Sequence, residues 1–175
     1  STLLKFLSGN QIGNNFNIKE DDKDLKNLNE SYLKLNKISY IPQNPILFNI
    51  SVAKNVSLEL NEAKINYEKI INLFKELNLH KFIDKLDTNL SLDGSSVSGG
   101  ERQRISIARG LYSDPDLIIM DEPFSSVDIN TRDHISIFLK KISTNKTLII
   151  SSHTTEKVDL YNKTLEIING KIHED

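Results

Sequence analysis

Apolar positions along this chain switch between two periods, and the switching itself predicts a class of fold. Leu3, Leu4, Phe6 and Leu7 recur at helical spacing until Ser8-Gly9-Asn10 interrupts them, so a short helix is expected over 1–7. A polar, Asn-rich stretch covers 13–36, with Phe16 and Ile18 alternating as a short strand, before Lys37-Ile38-Ser39-Tyr40-Ile41 reads as a strand stopped by Pro42. Gln43 is thereby left on the loop that follows a strand. From Ser51 to Lys85 the apolar residues, Ile65, Ile70, Phe74, Leu77 and Phe82 among them, follow an amphipathic helical pattern that breaks near Asn78. A further helix is expected over 98–112, a strand over 117–120, a helix over 128–142, a strand over 147–151, and a last strand over 164–168 that ends at Asn169-Gly170. Such alternation implies α/β architecture, a mostly parallel sheet flanked by helices, which binds ligands beyond the carboxyl ends of its strands. Gln43, Asp121 and His153 all fall at such ends. No internal repeat or low-complexity linker interrupts the pattern.

Composition narrows the chemistry. At 175 residues the chain has the size of one domain, and 22 Lys plus Arg against 24 Asp plus Glu give a net charge of -2, with no field that would gather nucleic acid or an anionic membrane. The absence of cysteine excludes disulfides, zinc–thiolate sites and thiol catalysis. Its longest apolar runs, such as Leu117-Ile118-Ile119-Met120, fall far short of the roughly 20 residues that cross a bilayer. The opening Ser1-Thr2-Leu3-Leu4 carries neither Met nor a charged-then-apolar leader, and the start is expected to be cropped.

Two segments carry candidate chemistry. Leu117-Ile118-Ile119-Met120-Asp121-Glu122-Pro123 is a buried-strand run that delivers two carboxylates at its end. Successive side chains diverge there, so Asp121 suits a magnesium ion while Glu122 faces an attacking water as general base. The plainer reading is a surface turn after a core strand. In Val97-Ser98-Gly99-Gly100-Glu101-Arg102-Gln103-Arg104, Ser98 and Glu101 form a capping box, which alone would explain a helix start. Capping does not require Gly99 and Gly100; two glycines let backbone approach a ligand, and the free amides of a first helical turn suit a phosphate.

Taken together, Ser98-Gly99-Gly100-Glu101-Arg102-Gln103-Arg104, then Ile105-Ser106-Ile107-Ala108-Arg109-Gly110-Leu111 and Asp121-Glu122-Pro123, resemble the signature helix and Walker B strand of the ABC ATPase family. The resemblance extends over the chain: Ser1-Thr2 is similar to the end of the phosphate loop, Gln43 to the Q-loop glutamine, Ser126-Val127-Asp128 to the D-loop and His153 to the switch histidine. It implies a P-loop NTPase-like domain over 1–175 with an inserted helical subdomain over 51–112, its first strand and phosphate loop lying outside the chain. It also implies ATP and Mg2+ as cofactors. Ser1, Gln43 and Asp121 would serve the metal, Thr2 a phosphate oxygen, and Glu122, Gln43 and His153 the lytic water and γ-phosphate. Ser98, Gly99 and Gly100 would close over the ATP of a second such domain packed head to tail, with Asp128 both capping a helix and reaching across the interface. His80, His134 and His173 are expected to be solvated. Without the glycine-rich loop and its lysine, the segment alone is expected to bind ATP poorly and to hydrolyse none.

Ile41-Pro42-Gln43-Asn44-Pro45-Ile46-Leu47-Phe48-Asn49-Ile50-Ser51-Val52 resembles the region after the Q-loop in exporters, whose ATP-binding domain is usually fused behind six membrane helices, as do Asp87-Thr88 and Asp93-Gly94. Leu92 departs from exporters, which tend to place a glutamate there, and Pro123-Phe124-Ser125-Ser126 is closer to importers. The resemblance thus implies export across a membrane, driven from its cytoplasmic face with a transmembrane domain as partner. The alternatives are an importer subunit or a soluble ATPase acting on nucleic acid or ribosomes. The short stretch between Gln43 and Ser98, without heptads or a basic stripe, argues against nucleic acid as a partner.

Overall fold

A computed structural model describes residues 2–8, 19–20, 23–24, 38–90, 97–153, 161–169 and 171–174. The expected strand at Phe16 and Ile18, together with Ser1, Leu92, Asp93 and Gly94, lies outside these. Helix α1 (Thr2–Leu7) opens the chain and the pair β1 (Lys19–Glu20) and β2 (Lys23–Asp24) is antiparallel. The expected parallel sheet is formed by β3 (Ile38–Ile41), β4 (Leu117–Asp121) and β5 (Thr147–Ser151), in the order β3-β4-β5. Register pairs Ile41 with Met120 and Asp121 with Ser151, so all three strands end at one edge. As the central strand, β4 buries Ile118, Ile119 and Met120 completely, which is why it reads as an unbroken apolar run instead of an alternating one.

The stretch expected to be mostly helical divides into α2 (Val52–Ser57), a 3-10 turn at Glu62–Lys64, α3 (Tyr67–Glu76) and a 3-10 turn at His80–Lys85. Local backbone explains the divisions: α2 stops at Leu58 in the left-handed region (φ 57°), and the break near Asn78 coincides with its φ of 53°. Helix α4 (Gly99–Tyr112) packs beside α2 and α3 and lies on β3, around a core that includes Ile70, Phe74, Leu77, Ile105 and Ile107. Gly110 allows that seating, since a Cβ there would stand 2.7 Å from Ser39 Oγ and 2.8 Å from Ile41 Cδ1. Helix α5 (Ile129–Ile142) buries Ile135 and Leu139.

The chain's last elements depart from the alternation rule. Strand β6 (Leu165–Ile168) does not join the parallel sheet among the described residues but pairs antiparallel with β7 (Lys171–Glu174), a strand the sequence pattern did not announce. Asn169, read with Gly170 as a stop, stands at φ 50° directly after β6.

Candidate functional site

The edge at which the three strands end is built around one unusual backbone position. After Asp121 the chain turns at Glu122, whose φ of 47° is rare for a residue with a side chain. The turn is held from β5: the Glu122 N–H donates to both the carbonyl oxygen (3.2 Å) and the hydroxyl (3.1 Å) of Ser151. Ser125 closes its other side, donating its N–H (3.3 Å) and hydroxyl (3.1 Å) to the Glu122 carbonyl.

That turn sends the two carboxylates to different partners. Asp121, only 4% exposed, accepts from Ser151 Oγ at Oδ1 (2.7 Å) and from the Tyr40 hydroxyl at Oδ2 (3.2 Å). Burial, reinforced by the adjacent Asp121 charge, pushes the Tyr40 phenol up to about 12, so it remains a proton donor across the physiological range. Glu122 is partly buried and accepts from Gln43 Nε2 at Oε2 (2.7 Å) and meets His153 Nε2 at Oε1 (2.6 Å). His153 is largely exposed, with Gln43 also at the surface. Gln43, Asp121, Glu122 and His153, from three separate parts of the sequence, are thus brought to one place, with Gln43 bonded to Glu122 and not to Asp121.

A magnesium ion fits this donor set. Asp121 is a buried carboxylate that accepts from two neutral hydroxyls, one on each oxygen, leaving acceptor positions for an ion or its water. Among the described residues no group of three or more His, Asp or Glu could hold a metal by itself.

A second group forms at the start of α4. Ser98 caps the helix, accepting from the Glu101 N–H (3.3 Å), while Glu101 Oε2 accepts from the Ser98 N–H (2.8 Å), the reciprocal box expected from sequence. Burial pushes the Glu101 carboxyl up, but the Lys81 ammonium at 2.6 Å and the Ser98 N–H outweigh it and hold it below the usual range. Ser98 and Gly99 are exposed and Gly100 half-buried, leaving the helix start open to solvent. The two glycines differ. A Cβ at Gly99 would make an ordinary 3.7 Å contact with Ser126, whereas at Gly100 it would stand 2.7 Å from the Ser126 carbonyl oxygen. Glycine at 100 is therefore required by contact within the chain, a reason the sequence did not disclose beside ligand approach. Asp128 caps α5 by accepting from the Thr131 N–H (3.0 Å), and that backbone donor lowers its carboxyl pKa. The segment 122–128 thus links the carboxylate edge to the glycine pair.

Of the remaining expected residues, Thr2 is exposed at the start of α1 and Ser1 lies outside the described residues. Reasoning from sequence missed Tyr40 and Ser151, the two residues that grip Asp121. Ser151 had a signal, standing two positions before His153 on a strand whose end was already identified. It also missed Asn55, fully buried, whose amide serves Phe48, Ile50 and Ser51 and accepts from Arg109 (3.2 Å).

Comparison with known proteins gives the family. A family model described as ABC transporter matches residues 1–125. Human ATP-binding cassette sub-family B member 5 is 32% identical over 158 residues, covering 88% of this chain and 12% of that protein. Multidrug resistance protein 1 of Entamoeba histolytica is 33% identical over 179 residues, covering 99% of this chain and 14% of that protein. The chain therefore spans only 12% and 14% of the lengths of these curated relatives. Its fold is shared with a bacterial Atm1-family ABC exporter solved with ATP bound, at a TM-score of 0.83 and 23% identity over 97% of this chain and 30% of that one.

Proposed function

The chain belongs to the ABC transporter family, and from that premise we propose that, within the complete protein, it binds and hydrolyses ATP to drive export across a membrane. One observation carries the reading: Gln43, Asp121, Glu122 and His153 converge where three parallel strands end. Phosphoryl transfer asks for positioning and charge compensation more than covalent chemistry, and these groups supply both. Glu122 acts as general base, taking a proton from the attacking water. Its two oxygens are held by Gln43 and His153, which must turn toward water and γ-phosphate when nucleotide is bound. Asp121, with Gln43 and Ser1, would hold Mg2+, which when bound offsets charge on the phosphate oxygens. Thr2 bonds a phosphate oxygen.

The exposed start of α4 supports the partner half of the proposal. Ser98, Gly99 and Gly100 offer backbone amides and a helix dipole to the γ-phosphate held by a second domain, with Asp128 at the same interface. ATP then lies between two head-to-tail domains and draws them together. Ile46 and Phe48, 71% and 48% exposed just after Gln43, suit an apolar partner, and a transmembrane domain at the cytoplasmic face of the membrane is the one we assign. In this reading residues 51–112 form a helical subdomain that carries the signature helix against that partner.

The deciding experiment replaces the base in the complete protein. Glu122→Gln is expected to keep ATP binding, lower turnover by about a hundredfold or more, and trap the closed dimer in ATP. Undiminished hydrolysis would refute the assignment.

A further inference from the structure

We propose that Ser151 is a positioning residue for this site, tying the metal-side carboxylate to the backbone of the base, with Tyr40 as its counterpart on the opposite strand. The proposal rests on the ATPase reading above and deepens it. A single hydroxyl does two tasks at Ser151: it donates to Asp121 Oδ1 (2.7 Å) and accepts from the Glu122 N–H (3.1 Å). It can do both because a hydroxyl has one proton and two lone pairs. The carbonyl of the same residue shares the Glu122 N–H (3.2 Å), so β5 holds the left-handed turn through two acceptors.

Asp121 is gripped from both sides. Ser151 pairs with it directly in the β4–β5 register, while Tyr40 reaches its other oxygen from β3 (3.2 Å). With one hydroxyl on each oxygen, the plane of the carboxylate is fixed between two strands. A carboxylate has about four acceptor positions, so one on each oxygen remains for an ion or its water. Neither hydroxyl carries charge, so neither competes with a cation for the position Asp121 faces. Rotation of Asp121 and relaxation of the Glu122 turn are both opposed by the Ser151 hydroxyl, and its loss should disturb metal binding and base placement together. A hydroxyl that served only to fill space would move neither.

The test uses the complete protein with Ser151→Ala, Ser151→Thr and Tyr40→Phe. Ser151→Ala is expected to lower kcat about tenfold, as loss of a hydrogen bond to a charged group does, with KM for ATP at saturating Mg2+ within about twofold. Without nucleotide, hydrogen–deuterium exchange of the peptide covering Glu122 should quicken. Half-saturation by Mn2+, read by electron paramagnetic resonance with a non-hydrolysable ATP analogue, should rise several-fold. Ser151→Thr, which restores the hydroxyl, should recover all three. Tyr40→Phe should weaken Mn2+ binding by about threefold and leave exchange at Glu122 unmoved, because its longer bond reaches Asp121 alone.

Exchange, kcat and Mn2+ binding all within about twofold of wild type in Ser151→Ala would overturn the proposal. So would a Ser151→Thr protein as impaired as Ser151→Ala. If Ser151→Ala fails to fold, Ser151→Thr and Tyr40→Phe decide: the proposal stands on Mn2+ binding weakened in Tyr40→Phe and preserved in Ser151→Thr, and falls on any other pair. A wild-type protein that turned over no ATP would sink the ATPase reading, while exchange at Glu122 still decided the role of Ser151.

Discussion

The two ends of this site are built on different principles. At the strand edge, side chains satisfy one another: Glu122 is held by Gln43 and His153, Asp121 by Tyr40 and Ser151. At the start of α4 the groups proposed to work are backbone amides, and the side chains of Ser98 and Glu101 serve the helix that presents them. The edge can therefore be assembled within one chain, whereas the helix start faces solvent and, in the proposed reading, is completed by a partner domain. Side-chain changes should damage the first by removing chemistry and the second by obstructing approach.

The sharpest break in this contrast is expected from Ser98→Arg. It puts a long charged group on the exposed cap, so dimer closure measured by size-exclusion chromatography in ATP should be lost, with nucleotide affinity of the open form within several-fold of wild type. Unchanged closure would count against a site shared between two domains. Gly100→Ala comes next. Its Cβ must displace the Ser126 backbone, so chemical denaturation should show a loss of about 1–3 kcal/mol, against a change of under about 1 kcal/mol for Gly99→Ala, where the added atom fits. Equal effects would mean that the glycines are alike and that the contact with Ser126 is unimportant.

The smallest effect is pH-dependent. Because the folded-state pKa of Glu101 is lowered, its contribution to stability is fully present above the unfolded value of about 4.3 and is lost as pH falls through the lower folded value. Urea midpoints followed from pH 6 to pH 3 should fall less steeply in Glu101→Gln than in wild type, by about 1 kcal/mol at most. Parallel curves would show that the box and the Lys81 ion pair add nothing.

Much of this was legible because it is local. The apolar run before Asp121 betrays a strand buried on both faces, Ser98 and Glu101 announce a helix start, and Pro42 ends a strand just ahead of Gln43. The hairpin at the end was misjudged because Asn169-Gly170 suits both a stop and a tight turn, and β7 is too short and too polar to declare itself. Tyr40 went unnoticed for a different reason: strand periodicity says which way a residue points but not which carboxylate lies within reach on the neighbouring strand.

By itself, then, the sequence determined the strands of the parallel sheet, the longer helices and their order, and the residue types proposed as base, metal ligand and glycine-lined helix start, since propensity, capping and motif spacing act over a few residues. Tertiary structure alone decided the pairings. It set Gln43 and His153 on Glu122, Ser151 and Tyr40 on Asp121, and the carbonyl of Ser126 where Gly100 has no side chain. Those contacts join residues far apart in the chain, and strand register and helix seating, which bring them within ångströms, depend on the whole core.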